Sequence, residues 1–158
     1  MRKIALSISE IKDIEKREFL RLGDSFKLME QAGEACAKQI VKIYKKNRFI
    51  VVCGPGNNGG DGLILSSCLD EHGKEVDLYC LGKNSYKGDS LKAYKKNKLK
   101  KKPLDELNVN QDAVIIDALF GIGLNKKVDG IFKDCIDKIN DSKLKVIAVD
   151  IPSGVYGD

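Results

Sequence analysis

Residues 50–62 read IVVCGPGNNGGDG. A β-branched and apolar run, Ile50 to Cys53, leads into a turn whose Gly54, Gly56 and Gly59 satisfy the spacing G-x-G-x-x-G. A short apolar strand, a glycine turn and a helix start are the opening of a βαβ unit. A turn that only cradles a pyrophosphate needs glycines and free backbone amides, with no use for two asparagines and Asp61.

On either side the same alternation continues. Apolar strands are expected at 49–53, 76–81 (VDLYCL), 113–119 (AVIIDAL) and 145–151 (KVIAVDI). Between them fall helices at 60–72, ended by Gly73, then at 89–98 and 130–140. Strand and helix in turn predict right-handed crossovers and a mainly parallel sheet. The strands are apolar almost throughout, as strands covered on both faces should be. The fold class is therefore α/β, a three-layer α/β/α Rossmann-like sandwich. Two helices precede it. Ser7 and Glu10 have the spacing of a capping box, followed by Ile8, Ile11, Ile14, Phe19 and Leu22 up to Gly23. A second helix at 25–46 is expected to bury Leu28, Met29, Ala32, Cys36, Ile40 and Ile43. The region 98–112 carries no clear element.

The bulk composition narrows the function classes. A chain of 158 residues, 42% hydrophobic and 32% charged, is that of one globular domain spanning 1–158. No apolar stretch approaches the roughly 20 residues of a bilayer span, and MRKIALSISE has no signal-peptide core. Five cysteines without C-x-x-C suit free thiols in a reducing compartment, so a cytoplasmic location is expected. The net charge of +5 is mild. Its densest part, YKKNKLKKK at 94–102, lacks arginine and interleaved aromatics, so it reads as a solvated connector and not as a nucleic-acid surface.

In an open α/β sheet, ligands sit beyond the carboxyl ends of the strands. Three glycine-rich turns fall there: GPGNNGGDG at 54–62, DALFGIGLNKK at 117–127 and DIPSGVYGD at 150–158. Each holds an aspartate at or just after the strand end, and together they describe one pocket. A dehydrogenase fingerprint also requires a carboxylate about 20 residues on, at the end of the second strand. Asp77 has the separation but stands near that strand's start, and the strand ends in Cys80, Leu81 and Gly82. The dehydrogenase reading fails there. Backbone amides from Asn57 to Gly60 can still hold phosphate at a helix start. Asp61 is expected in the first helical turn, where it favours the helix dipole and would repel a phosphate set against it. His72 reads as a helix-end residue, Cys53 as a buried strand residue, and Lys83 and Lys87 as solvated. Ser153 is no nucleophile elbow, because G-x-S-x-G is absent.

These motifs, with LMEQAG at 28–33, closely resemble the YjeF N-terminal domain family, whose members are NAD(P)HX epimerases that repair hydrated nicotinamide cofactors. The resemblance runs from the N-terminal helices to the last residue. It implies that Asn57, Asn58, Gly59, Gly60 and Asp61 line the substrate site, that Gly121, Ile122, Gly123, Leu124, Asn125, Lys126 and Lys127 hold the phosphates, and that Asp150 contacts the altered nicotinamide. It also implies a bound potassium ion with ligands Asn58, Asp117 and Ser153, an oxygen-donor set suited to a hard cation. The asparagines of the opening turn then have a purpose. Where the family carries threonine and arginine, this chain has Ile122 and Lys126, so a phosphate meets a point charge in place of a bidentate fork. The family domain also continues past this point with further strands, which this chain is expected to lack.

The chemistry implied is inversion at a hydroxyl-bearing ring carbon beside nitrogen. It asks for a general acid that becomes a base, and for negative charge near a developing cation. Asp150 is the expected catalytic residue, with Asp61 second. The partners implied are NADHX or NADPHX as substrate, a homodimer, and functional pairing with an NAD(P)H-hydrate dehydratase, with no nucleic acid and no membrane. A catalytically inactive nucleotide-binding or scaffold module on the same fold is the rival reading. The retention of Asn58, Asp117, Asp150 and Ser153 together favours the enzyme.

Overall fold

A computed structural model of the chain describes residues 7–156. The expectation drawn from MRKIAL and the last two residues of the DIPSGVYGD motif lie outside the described residues.

Helix α1 (Ile8–Leu22) starts at the predicted capping box. The Glu10 N–H donates to the Ser7 hydroxyl, and the Ser7 N–H donates to Glu10 Oε2 at 2.7 Å. It stops at Gly23, whose φ of 69° is the left-handed conformation that glycine adopts without a Cβ penalty. Helix α2 (Ser25–Ile43) follows, capped by Asp24, which accepts from the Phe26 N–H. Its buried face is Met29, Gly33, Ala37 and Ile40. This is offset from the expected set: Ala32 and Ile43 are exposed, and Leu28 and Cys36 are half-buried. The cause is a glycine contact. A Cβ on Gly33 would lie 2.7 Å from Ile64 Cβ, so α2 is rotated to press its barest point onto the next helix.

The sheet is parallel throughout, with strands β1 (Arg48–Cys53), β2 (Glu75–Cys80), β3 (Lys101–Lys102), β4 (Val114–Ala118) and β5 (Lys145–Ala148) in the order β3-β2-β1-β4-β5. Helices α3 (Asn57–Glu71), α4 (Gly88–Lys96) and α5 (Gly130–Asp141) make the crossovers. Alternate residues of β1 serve opposite faces. Phe49, Val51 and Cys53 pack with α2, α3 and α4, while Ile50 and Val52 pack with α5 and the turn around Leu104 and Leu107. Three layers result, as the apolar strands require.

Two expectations need correcting. The stretch 98–112 contains the edge strand β3, and its lysines are not all free in solvent. Lys102 Nζ donates to Asp77 at 2.6 Å and Lys101 Nζ to the Asn97 carbonyl at 2.6 Å. Helix α3 also starts at Asn57, not near Gly60, because Gly59 fits directly against the strand end. A Cβ there would meet the Gly54 carbonyl oxygen at 1.8 Å. Tertiary contact overrides the poor helix propensity of two glycines. Asp61 therefore lies in the second turn of α3, beyond the strongest pull of the helix dipole.

Among the described residues, no helix is long and apolar enough to cross a membrane.

Candidate functional site

β1 sends its crossover to one side of the sheet and β4 sends its own to the other, so the gap between their carboxyl ends is the topological switch point where ligands of such folds bind. A cleft of about 770 Å³ opens there, within the usual range for small-molecule sites. Glycines let its walls close in. Gly54 lies so near the Leu119 carbonyl that a Cβ would stand 1.9 Å from the oxygen, and the Gly54 N–H donates to the Ala118 carbonyl at 3.0 Å. The turns after β1 and β4 are thereby stitched together.

Most of the residues singled out from sequence line this cleft: Asn57, Asn58 and Asp61 from α3, all of Gly121 to Lys127, and Asp150. Gly59 and Gly60 do not. Gly59 is packed on Gly54, and a Cβ on Gly60 would collide with the Met29 thioether, so both are there for close packing. Asp117 and Ser153 are buried and bonded to one another. Asp117 Oδ1 accepts from the Ser153 hydroxyl at 2.6 Å and from the Leu119 N–H at 3.2 Å, and Oδ2 accepts from the Ser153 N–H at 2.8 Å. The Ser153 hydroxyl in turn accepts from the Phe120 N–H at 2.9 Å. This knot ties the turn after β4 to the turn after β5.

Asn58 is different. Only 9% exposed, it has neither its amide oxygen nor its amide nitrogen hydrogen-bonded among the described residues. Leaving one buried polar group unmet costs about 1–3 kcal/mol, so an unmatched amide at the wall of a cleft points to a ligand. The donor set suits a hard cation. Asn58 Oδ1 is free, and Asp117 Oδ2, with room for two acceptances, makes one.

The two cleft carboxylates have unlike surroundings. Asp150 is exposed, and its Oδ2 accepts from the Ile122 N–H at 2.7 Å, holding the phosphate-loop candidate in place. Asp61 is half-buried, and its carboxyl is pushed up from 3.8 to about 7 by burial first, then by the charges of Glu15 and Asp150.

The cleft has further walls that sequence reasoning missed. Lys12 and Glu15 of α1, Ala32 and Cys36 of α2, and Phe132 of α5 also line it. LMEQAG was a partial signal, since Ala32 and Gly33 stand in it. Nothing in the pattern of α1 marks Lys12 and Glu15.

Other sequence readings fall away from the site. Asp77 sits early in β2. Burial raises its carboxyl, but hydrogen bonds from Lys102 and Gln111, with the charges of Lys102 and Arg48, leave it lowered overall. It is a structural ion pair, which agrees with the failure of the dehydrogenase test. His72 ends α3, with Nδ1 2.6 Å from the Cys68 carbonyl. Cys53 is fully buried and its thiol is pushed well up by burial, unsuited to nucleophilic work. All five cysteines are free.

Comparison with known proteins agrees with this architecture. The chain is 33% identical to a protein of Lentilactobacillus buchneri named NAD(P)H-hydrate epimerase, an alignment covering 98% of this chain and 74% of that protein. It is 39% identical to a protein of the same name from Entamoeba histolytica, over 80% of this chain and 59% of that one. A bifunctional NAD(P)H-hydrate repair enzyme, Nnr, of Thermofilum pendens is 34% identical over 96% of this chain, which spans only 31% of it. The crystal structure of yeast ynu0 has the same fold, with a TM-score of 0.75 at 22% identity, covering 96% of this chain and 72% of that one. Residues 25–158, which hold the three convergent turns and the helix packed against them, match the profile of the YjeF-related protein N-terminus, and the chain belongs to that family.

Proposed function

We propose that this domain epimerises hydrated NADH or NADPH, interconverting the R and S forms at the hydroxyl-bearing C6 of the reduced ring. The observation that carries this reading is the unpartnered Asn58 amide in the same cleft as Asp61 and Asp150. A scaffold has no need of a buried amide left unmet. The names of the relatives described above support the same substrate.

The phosphates lie along Gly121 to Lys127, with Lys126 and Lys127 supplying positive charge and free backbone N–H groups at the start of α3 adding to it. The Leu124 N–H donates to the Gly121 carbonyl at 3.1 Å, so this loop is already turned. Asp150 faces the reacting ring. Its fixed bond to Ile122 sets loop and carboxylate in one register, so phosphate binding and ring placement are coupled.

Inversion proceeds by breaking the C6–O bond. The hydroxyl leaves as water after taking a proton, and the ring nitrogen's lone pair forms an iminium with C6. Water then adds to either face and returns the proton. Negative charge held beside the ring lowers the energy of the cation, and the cleft wall of Leu119, Phe120 and Phe132 keeps bulk water away.

A potassium ion would be held by Asn58, Asp117 and Ser153, where it would supply fixed positive charge and tie the three turns together. Asn58, Asp117 and Ser153 come from the start of α3, the end of β4 and the turn after β5, so ordering them orders the cleft. Pairing with an NAD(P)H-hydrate dehydratase and a homodimeric assembly belong to the same reading.

The test is conversion of purified R-NADHX by the chain, followed chromatographically against the spontaneous rate, with potassium and with lithium. Conversion well above the buffer rate is expected. A rate equal to buffer, with the cofactor still bound, would favour an inactive binding module.

A further inference from the structure

The cleft contains two carboxylates, and the surroundings of each suit it to a different task. Asp150 stands in solvent, with an N–H donor already on one oxygen. Asp61 lines the cleft from the second turn of α3, half-buried, and among the described residues no side chain or backbone group donates to it. Elements close on it from several sides. From α1 come Glu15 and, at the rim, Lys12; from α2 the Cys36 thiol; from β1 the buried Cys53; across the cleft stand Asp150 and the loop lysines Lys126 and Lys127. The charges that act on Asp61 are negative, Glu15 and Asp150, and among the described residues no cation is paired with it.

A carboxyl withdrawn from water, without donors and facing other carboxylates holds its proton to a higher pH than a solvated one. A solvated carboxylate nearby does not share that setting. Such a pair divides acid and stabiliser between its members.

We propose that Asp61, and not Asp150, carries the proton of the epimerisation, entering as the acid, while Glu15 on α1 acts as a positioning residue that keeps it protonated. The inference rests on the epimerase reading. Asp61 gives its proton to the C6 hydroxyl as the C6–O electron pair leaves with the oxygen, producing water and the iminium. The carboxylate then takes a proton from the water that bonds to C6, and the acid is regenerated. Nothing is oxidised or reduced. Asp150 stands beside the cation. The raised carboxyl of Asp61, at about 7, is what a group that gives and regains a proton near neutrality requires. Helix α1, which buries none of its residues, acquires a role by this assignment: it brings Glu15 to the cleft.

The experiment is a pH profile of kcat and kcat/KM for R-NADHX, corrected for the spontaneous reaction, on the parent chain, Asp61→Asn, Asp150→Asn and Glu15→Gln. Parent kcat/KM should fall as pH rises through about 7. Asp61→Asn should lose at least about a hundredfold in kcat, with KM little changed and the alkaline fall gone. Glu15→Gln should move the fall to lower pH and so lower turnover near neutrality while sparing it in acid, a displacement that a purely structural role would not produce. Asp150→Asn should be slower yet keep the fall, moved to lower pH by less than in Glu15→Gln, because its charge raises Asp61 less. Far-UV circular dichroism and NADHX binding establish that each variant is folded. If Asp61→Asn retains the parent's turnover, or if the fall vanishes with Asp150→Asn and not with Asp61→Asn, the assignment is overturned while the epimerase reading stands. A parent chain without turnover overturns both.

Discussion

Replacing Asp61 by asparagine should stabilise the protein, increasingly as pH rises from about 4 to about 7. The carboxyl moves from 3.8 to about 7 on folding, and each unit is about 1.4 kcal/mol between the two protonation states. The full shift would correspond to about 4 kcal/mol. Asp61 still touches water at the cleft, and solvent screening reduces that to about 1–3 kcal/mol. The sign follows from proton counting. Between about pH 4 and pH 7 the native chain holds a proton that the unfolded chain has released, so stability falls as pH rises across this window. The whole penalty is present near pH 8 and absent below about pH 4. Asparagine has nearly the same shape and no charge to desolvate. Urea unfolding followed by circular dichroism should therefore show the variant more stable near pH 8 and equal to the parent near pH 4, with a melting gain of about 2–10 °C at the higher pH. A variant no more stable than the parent near pH 8, or equally favoured at both, would refute the placement of Asp61 in a desolvated acidic setting.

Other predictions concern the frame and the ion. Gly59→Ala, whose Cβ would stand 1.8 Å from the Gly54 carbonyl oxygen, should cost about 2–3 kcal/mol in denaturant unfolding. Gly123→Ala meets nothing within 4 Å and should change stability by less than about 0.5 kcal/mol. Leu65→Ala, at a fully buried position, should cost about 2–5 kcal/mol by the same assay. Potassium at a hundredfold excess over its dissociation constant should stabilise the parent by about 2.7 kcal/mol relative to lithium. In Asn58→Ala that increment should shrink or vanish in a thermal melt, a readout independent of turnover.

Much of the fold was legible because each strand is a contiguous apolar run flanked by glycine turns. Ile50 to Cys53, Ala113 to Leu119 and the Ser7–Glu10 capping box all carry their signal within a few residues. β3 carried none: it is two lysines, held in the sheet by Leu78 and Tyr79 of the neighbouring strand. The start of α3 was misjudged because glycines 59 and 60 argue locally against a helix, and only their contact with Gly54 and Met29 makes them fit. The buried side of α2 was misplaced for the same reason. At the site, the three turns announced themselves through composition, and the cleft they form follows from strand order alone. The environment of Asp61 could not be read from sequence. Lys12 and Glu15 reach the cleft from a helix more than forty positions earlier, and α1's own pattern gives them no mark.

The proposed convergence of these turns on one ion and one damaged pyridine ring is tested most directly by crystals grown with NADHX and rubidium, a heavier stand-in for potassium. Anomalous scattering should place rubidium against Asn58, Asp117 and Ser153, with the hydrated ring between Asp61 and Asp150. Rubidium elsewhere, or a cofactor bound outside the gap between β1 and β4, would contradict it.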